Sequence, residues 1–229
     1  MLPRELVFAL LWLPVHVILL PWLIMTIPGL RDLDESWQNF LCYAVGALAM
    51  ILLCWHFLRA DFDRLCDGFP LVIHTIFRCY LIMFGLDLLL SAALSLLMNF
   101  GVDPEIVNQN NDAITAMNET GHGVTAAMAI FLAPILEETI FRGAIFGGLR
   151  RKNRVLAYAA GILLFGVYHV WPYAVADSSY WVYILQYVPV SFLLCFCYDK
   201  TGCIWANILF HASWNALNLK LLDIASEML

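Results

Sequence analysis

Charge is scarce in this sequence. Only 13% of its 229 residues are Asp, Glu, Lys or Arg, whereas 62% are hydrophobic. Soluble domains carry about 25% charge and 45–50% apolar residues, so this chain cannot cover itself with a water-facing surface. No basic patch offers a footprint for nucleic acid, and no partner of that kind is expected. There is no internal repeat, no low-complexity segment and no polar stretch long enough for a separate soluble domain. A small-residue cleavage pattern is missing after the first apolar run, so that run is expected to stay as a helix. The H-E-x-x-H signature of the common zinc proteases is also absent. Seven cysteines are present, but Cys195 and Cys197 are too close for an ordinary disulfide. The cysteines are expected to be small apolar fillers.

What is there is long apolar runs. Mean hydropathy is +0.80, and the runs are about 20 residues long, the length needed to cross a bilayer. They predict an all-α, polytopic transmembrane bundle of about seven to eight spans. The spans are expected at residues 6–27, 38–58, 71–98, 123–149, 155–171, 181–198 and 203–222. Pro14 and Pro21 are expected to kink the first. Residues 59–70 read as a mixed-charge loop, 99–122 as the longest polar loop, and Gly202 as the breaker of a tight turn. Asn118-Glu119-Thr120 fits a glycosylation acceptor, a pattern common by chance. Trp12, Trp22, Trp37, Trp171 and Trp181 fall near span ends, as in an aromatic belt.

With the amino terminus inside, the inner loops hold Arg4, Arg59, Arg64, Arg150, Arg151, Lys152, Arg154 and Lys200, and the outer side only Arg31 and Lys220. That bias predicts an inside amino terminus and an outside carboxyl terminus.

One stretch departs from the apolar background: Ala133-Pro134-Ile135-Leu136-Glu137-Glu138-Thr139-Ile140-Phe141-Arg142-Gly143. A charge at the centre of a membrane helix costs about 2.5–3.5 kcal/mol on insertion scales. Three such groups must therefore face protein or a wet cavity. On a helix Glu138 and Arg142 stand one above the other and can pair. Glu137 is rotated by about 100° from Glu138, so both carboxylates cannot serve Arg142 equally. One reads as structural, and the other is left for chemistry.

Two later helices carry matching groups: Phe165-Gly166-Val167-Tyr168-His169, and His211-Ala212-Ser213-Trp214-Asn215. His211 and Asn215 share a face. At about 1.5 Å per residue from the inner end, Glu137 lies roughly 20 Å deep, His169 about 21 Å, His211 about 12 Å and Asn215 about 18 Å. Independent core residues have no reason to match in depth. The set holds no obvious nucleophile, because Ser213 and Thr139 point off the motif faces. A carboxylate and an imidazole can hold and deprotonate a water; a second imidazole and an amide can donate to an oxyanion. Alternatively Glu137, His169 and His211 suit zinc, and the water becomes zinc-bound.

Glu137-Glu138-x-x-x-Arg142, then Phe165-x-x-x-His169, then His211-x-x-x-Asn215, in that order on three helices, resemble the CPBP family of intramembrane proteases, which includes the CAAX prenyl endopeptidases and the bacteriocin-processing Abi proteins. The resemblance covers roughly residues 133–219. It divides one integral-membrane domain into spans without signature (1–122) and catalytic helices (123–229). It implies that Glu137 and His169 activate water, that His211 and Asn215 form the oxyanion hole, and that Glu138 and Arg142 fix the site. The family has been described both as metalloproteases and as metal-independent glutamate proteases. No cofactor is the preferred expectation, with zinc as the alternative, because Asn215 is a poor zinc ligand. The partners implied are a peptide or protein substrate at the membrane and the lipid bilayer. The short chain suggests a bacterial member in the inner (plasma) membrane.

Three rival functions remain at the level of sequence: a non-catalytic membrane scaffold, a bacteriocin-immunity protein, and a proton or ion transporter using Glu137, Glu138, Asp87 and the histidines. Asp87 reads as a helix-packing group or a lining of the water path. His74 and Arg78 are expected to snorkel, His16 and His56 to be structural, and His122 to be a solvated helix end.

Overall fold

A computed structural model describes residues 1–98 and 123–227, apart from the side chains of 87, 90, 91, 93–95, 97, 98 and 221–227. Asp87, His122 and Asn118-Glu119-Thr120 therefore lie outside the described side chains. The described residues form helices and no strands: α1 (Pro3–Thr26), α2 (Glu35–Leu53), α3 (Trp55–Asp67), α4 (Phe69–Met98), α5 (Gly123–Arg150), α6 (Arg154–Ala174), α7 (Ser178–Thr201, opened by a 3-10 turn) and α8 (Ile204–Glu227). Among the described residues, six stretches are long and apolar enough to cross a membrane: α1, α2, Phe69–Leu86 of α4, α5, α6 and α7. Their outer faces expose large apolar side chains such as Leu11, Ile18, Leu52, Leu81 and Leu185, as a lipid solvent requires. This is an all-α membrane bundle.

Helix α5 sits at the centre. Of its apolar window 56% is buried inside the protein, against 17–28% for the other five. The main core cluster joins Ala9, Met50 and Cys79 of the first helices to Phe141, Phe165 and Phe210 of the later ones. The cysteines other than Cys66 are buried and none forms a disulfide, which fits their reading as fillers.

The second span differs from expectation. It does not run on to residue 58 but stops at Leu53, where Cys54 leaves helical geometry. Residues 59–70 are not a loop either. Most belong to the amphipathic helix α3, whose apolar side (Phe57, Leu58) and one acid (Asp61) are buried. Charge density suggested a solvated loop; one buried stripe is enough to hold a helix. Likewise α6 continues past Trp171 through Pro172 to Ala174.

Buried acids tie these pieces together. Glu5 accepts Leu2 N–H at 2.8 Å and Phe57 N–H at 2.9 Å, so one carboxylate caps α1 and the start of α3. Asp61 accepts Ile204 N–H at 2.8 Å, capping α8, and is paired with Arg64. Burial pushes the Asp61 carboxyl up from its ordinary value, opposed by the Ile204 N–H and by Arg64. Just before that cap, Gly202 closes α7 with φ +62°, the left-handed position that favours glycine. Thus α3 fixes the start of the helix that carries His211 and Asn215.

Candidate active site

The path of α5 is set by proline and by two π-helical segments, Met128–Leu132 and Thr139–Phe146, on either side of the short α-helical stretch Ala133–Glu138. In the first, Ala133 N–H reaches Met128 O. The next rung of that five-residue ladder would join residue 134 to Ala129, but Pro134 has no N–H. The Ala129 carbonyl instead receives the Asn215 Nδ2 amide at 2.8 Å. Helix α8 is thereby clipped to α5 two turns from Glu137.

Glu138 is the anchored carboxylate. It is fully buried, and its Oε1 takes Arg142 Nη1 at 3.1 Å and His211 Nδ1 at 2.8 Å, while Oε2 takes Asn207 Nδ2 at 3.1 Å. The 138–142 pair forms although the backbone between them is π-helical. Arg142, also fully buried, donates through Nη2 to Ser191 Oγ at 2.9 Å and Ser191 O at 3.3 Å, and lies 4.2 Å over the Phe165 ring. The Ser191 hydroxyl in turn donates to Gly161 O at 3.0 Å. Gly161 leaves little room there: a Cβ would lie 2.8 Å from Cys195 Sγ. The site is thus braced through α5, α6, α7 and α8.

Glu137 makes no such pair. Its Oε2 faces His169 Nε2 at 3.8 Å and His211 Nε2 at 3.9 Å. Neither is a hydrogen bond. The far nitrogens fix the tautomers. His169 Nδ1 lies 2.8 Å from Phe165 O, a carbonyl that can only accept, so that nitrogen carries hydrogen. His211 Nδ1 meets the Glu138 carboxylate in the same way. In the neutral imidazoles both Nε2 lone pairs then converge on Glu137 Oε2. The His169 ring is held by Phe165 (4.3 Å between centroids), Tyr187 (4.5 Å, stacked) and Tyr168 (5.0 Å).

The structure therefore brings Glu137, His169 and His211 together, with Glu138 and Arg142 behind them. Asn215 lies on the same face of α8, but its amide is bonded to Ala129 O. Ser213 is turned away as expected, bonded to Leu209 O and Tyr80, and Thr139 to Ile135 O. His16 is buried against Tyr43, while His56, His74 and Arg78 are exposed.

Sequence reasoning missed Asn207, Ser191, Tyr43 and Tyr168. Asn207 had a signal: Asn207, His211 and Asn215 repeat every four residues. Ser191 and Tyr43 had none, since each sits in an ordinary apolar span.

As a zinc site, the donor chemistry fits. Each imidazole presents Nε2 while Nδ1 is bonded to oxygen, as in zinc-binding histidines. The spacing is wider than the roughly 3.3 Å between two ligands of a tetrahedral zinc. Among the described residues no group of three or more His, Cys, Asp or Glu is spaced to hold a metal ion.

Comparison with known proteins reaches the same half of the chain. Residues 121–217 match the family model for Rce1-like type II CAAX prenyl endopeptidases. A Bacillus subtilis (strain 168) protein named "Putative membrane peptidase YdiL" is 36% identical over 85 residues, 37% of this chain and 31% of that protein. The chain thus matches under a third of that relative's length. No solved structure matches. The segment matched by the family model contains all three motifs, and over it the chain is similar to Rce1-like type II CAAX prenyl endopeptidases.

Proposed function

We propose that the chain is a membrane-embedded endopeptidase that hydrolyses a peptide bond with water as nucleophile. The supporting observation is the gap around Glu137 Oε2, 3.8 Å from one Nε2 and 3.9 Å from the other. A water with hydrogen bonds of about 2.8 Å bridges atoms at that separation. Glu137 and His169 polarise it and take its proton as it attacks the carbonyl carbon. Two carboxylates against one guanidinium leave the buried cluster one negative charge in excess, and one proton balances it. Taken up by His211 as the substrate carbonyl enters, that proton turns the Nε2 lone pair into an Nε2–H donor to the carbonyl oxygen as it becomes an oxyanion. The second N–H of Asn215 is the other donor. On collapse, the proton taken from water passes to the leaving amine. Glu138 and Arg142 hold His211 in its tautomer.

The convergent lone pairs favour one second reading. Zinc held by Glu137, His169 and His211 would supply Lewis-acid polarisation of the water. A chelator separates the readings: activity that survives it supports the metal-free site.

The Rce1-like match makes a prenylated CAAX-terminated peptide the first probe, presented at a bacterial inner-membrane lipid surface. The test is cleavage of that peptide in detergent by wild type, Glu137→Ala and His169→Ala. Loss of cleavage in both variants supports the assignment; equal cleavage by all three removes it.

A further inference from the structure

We infer that Tyr43, backed by Tyr168, is a positioning residue for Glu137, so that the motif-free first half of the chain completes the site. This rests on the endopeptidase reading above. The last torsion of a glutamate is soft and roughly two-fold, so only hydrogen bonds fix the plane of its carboxylate. Glu138 has donors from Arg142, His211 and Asn207. Glu137, among the described residues, has one: the Tyr43 hydroxyl, 3.4 Å from Oε1. That bond holds the oxygen turned away from the histidines, and so aims Oε2 at both Nε2 atoms.

The hydroxyls also form an ordered chain. Tyr43 and Tyr168 stand 2.9 Å apart, oxygen to oxygen. Tyr43 has a single proton, and Glu137 takes it. Tyr168 must therefore donate to Tyr43, which polarises the Tyr43 hydroxyl further. Tyr168 immediately precedes His169, so one turn of α6 supports both partners of the water.

The Tyr43 ring is wedged from behind. His16 meets it edge-on at 4.9 Å and stacks on Tyr168 at 6.4 Å. The π turn Val15–Leu19 in α1 carries His16 inward. Gly46, one turn after Tyr43, leaves it room: a Cβ there would come within 3.2 Å of His16 Nδ1. Three helices, α1, α2 and α6, thus set the direction of one carboxylate.

The test uses the full chain in lipid nanodiscs and an internally quenched prenylated CAAX peptide as probe. Tyr43→Phe should lower kcat about tenfold with KM unchanged, the loss of one long hydrogen bond to a charged group. Tyr168→Phe should lower it less. The double variant should match Tyr43→Phe alone, since Tyr168 acts only through Tyr43. Effects of the two changes that multiply, or a wild-type kcat in Tyr43→Phe, overturn the inference. A second readout needs no turnover: the infrared carboxyl band of Glu137, assigned by its disappearance in Glu137→Gln. It should move by the same amount in Tyr43→Phe and in the double variant. An unmoved band overturns the inference whatever the cleavage. A moved band, with wild type cleaving no more than Glu137→Gln, removes the protease reading and leaves the hydrogen-bonded chain standing.

Discussion

Adjacent carboxylates should respond in opposite ways to the same substitution. In Glu138→Gln, an amide replaces a carboxylate that accepts from Arg142, His211 and Asn207 at 2.8–3.1 Å. Its NH2 group must face one of those donors, and Arg142, with no exposed surface, loses its counter-charge. Removing one partner of a buried pair costs about 3–5 kcal/mol. A chain of this size loses roughly 2–4 °C of Tm per kcal/mol, so melting should fall by about 10 °C. Glu137→Gln only weakens a 3.4 Å bond from Tyr43, which its amide oxygen can still accept, and alters two long approaches to imidazoles. Its stability should stay within about 1 kcal/mol of wild type, with cleavage abolished. Thermal unfolding in nanodiscs, followed through the eight tryptophans, measures the first quantity, and peptide hydrolysis the second. Adding Arg142→Met to Glu138→Gln should recover much of the lost stability, because no buried charge is then left without its partner. Equal melting of the two Gln variants would refute the division of labour between the carboxylates.

Other outcomes follow from the same contacts. Asp61→Ala should cost about 1–2 kcal/mol by uncapping α8, while Asp61→Asn, itself a good cap, should cost less. Because burial raises the Asp61 carboxyl above its unfolded value, its contribution is greatest at low pH and is lost as pH rises through the folded value. A melting difference between wild type and Asp61→Asn that does not vary with pH would contradict this. Gly161→Ala should destabilise by about 1–3 kcal/mol, because its Cβ would meet Cys195 Sγ at 2.8 Å. Cys195→Ala should relieve that clash, so the double variant should melt above Gly161→Ala alone.

The bundle, most of its spans and three converging side chains were legible in sequence, because each leaves a one-dimensional trace. Apolar length marks a span, and a charge inside it marks a site. Glu138 and Arg142 were legible as a pair by spacing alone. The depth argument gave Glu137, His169, His211 and Asn215 overlapping depth, with His211 the shallowest. What did not show is whatever depends on where a neighbour's backbone stands. The clip from Asn215 to Ala129 arises because Pro134 interrupts a π ladder, and nothing in residue order announces a π turn. Helix α3 was hidden because its charges are those of a loop, and only its packing buries Asp61. Tyr43 was hidden for a third reason: tyrosine is common in membrane spans, and only Glu137, 94 positions away in the chain, makes its hydroxyl matter.

Buried acids show where this fold leaves something unmatched. Glu5, Asp61, Glu137 and Glu138 are buried among the described residues. A charge in a greasy interior persists only when its partners offset the desolvation. Glu5 spends both oxygens on backbone N–H groups at helix starts. Asp61 has a helix start and Arg64. Glu138 has a guanidinium, an imidazole and an amide. In each case the helix positive end or the cation stands within hydrogen-bond reach, and the acid works as a tether. Glu137 alone of the four has one oxygen beyond hydrogen-bond reach of any described protein donor, aimed at two imidazole nitrogens that carry lone pairs. An acceptor facing two acceptors is unfavourable unless a species with protons to give stands between them. Water is the smallest such species, so the residue least suited to holding the fold together is the one best suited to activating it.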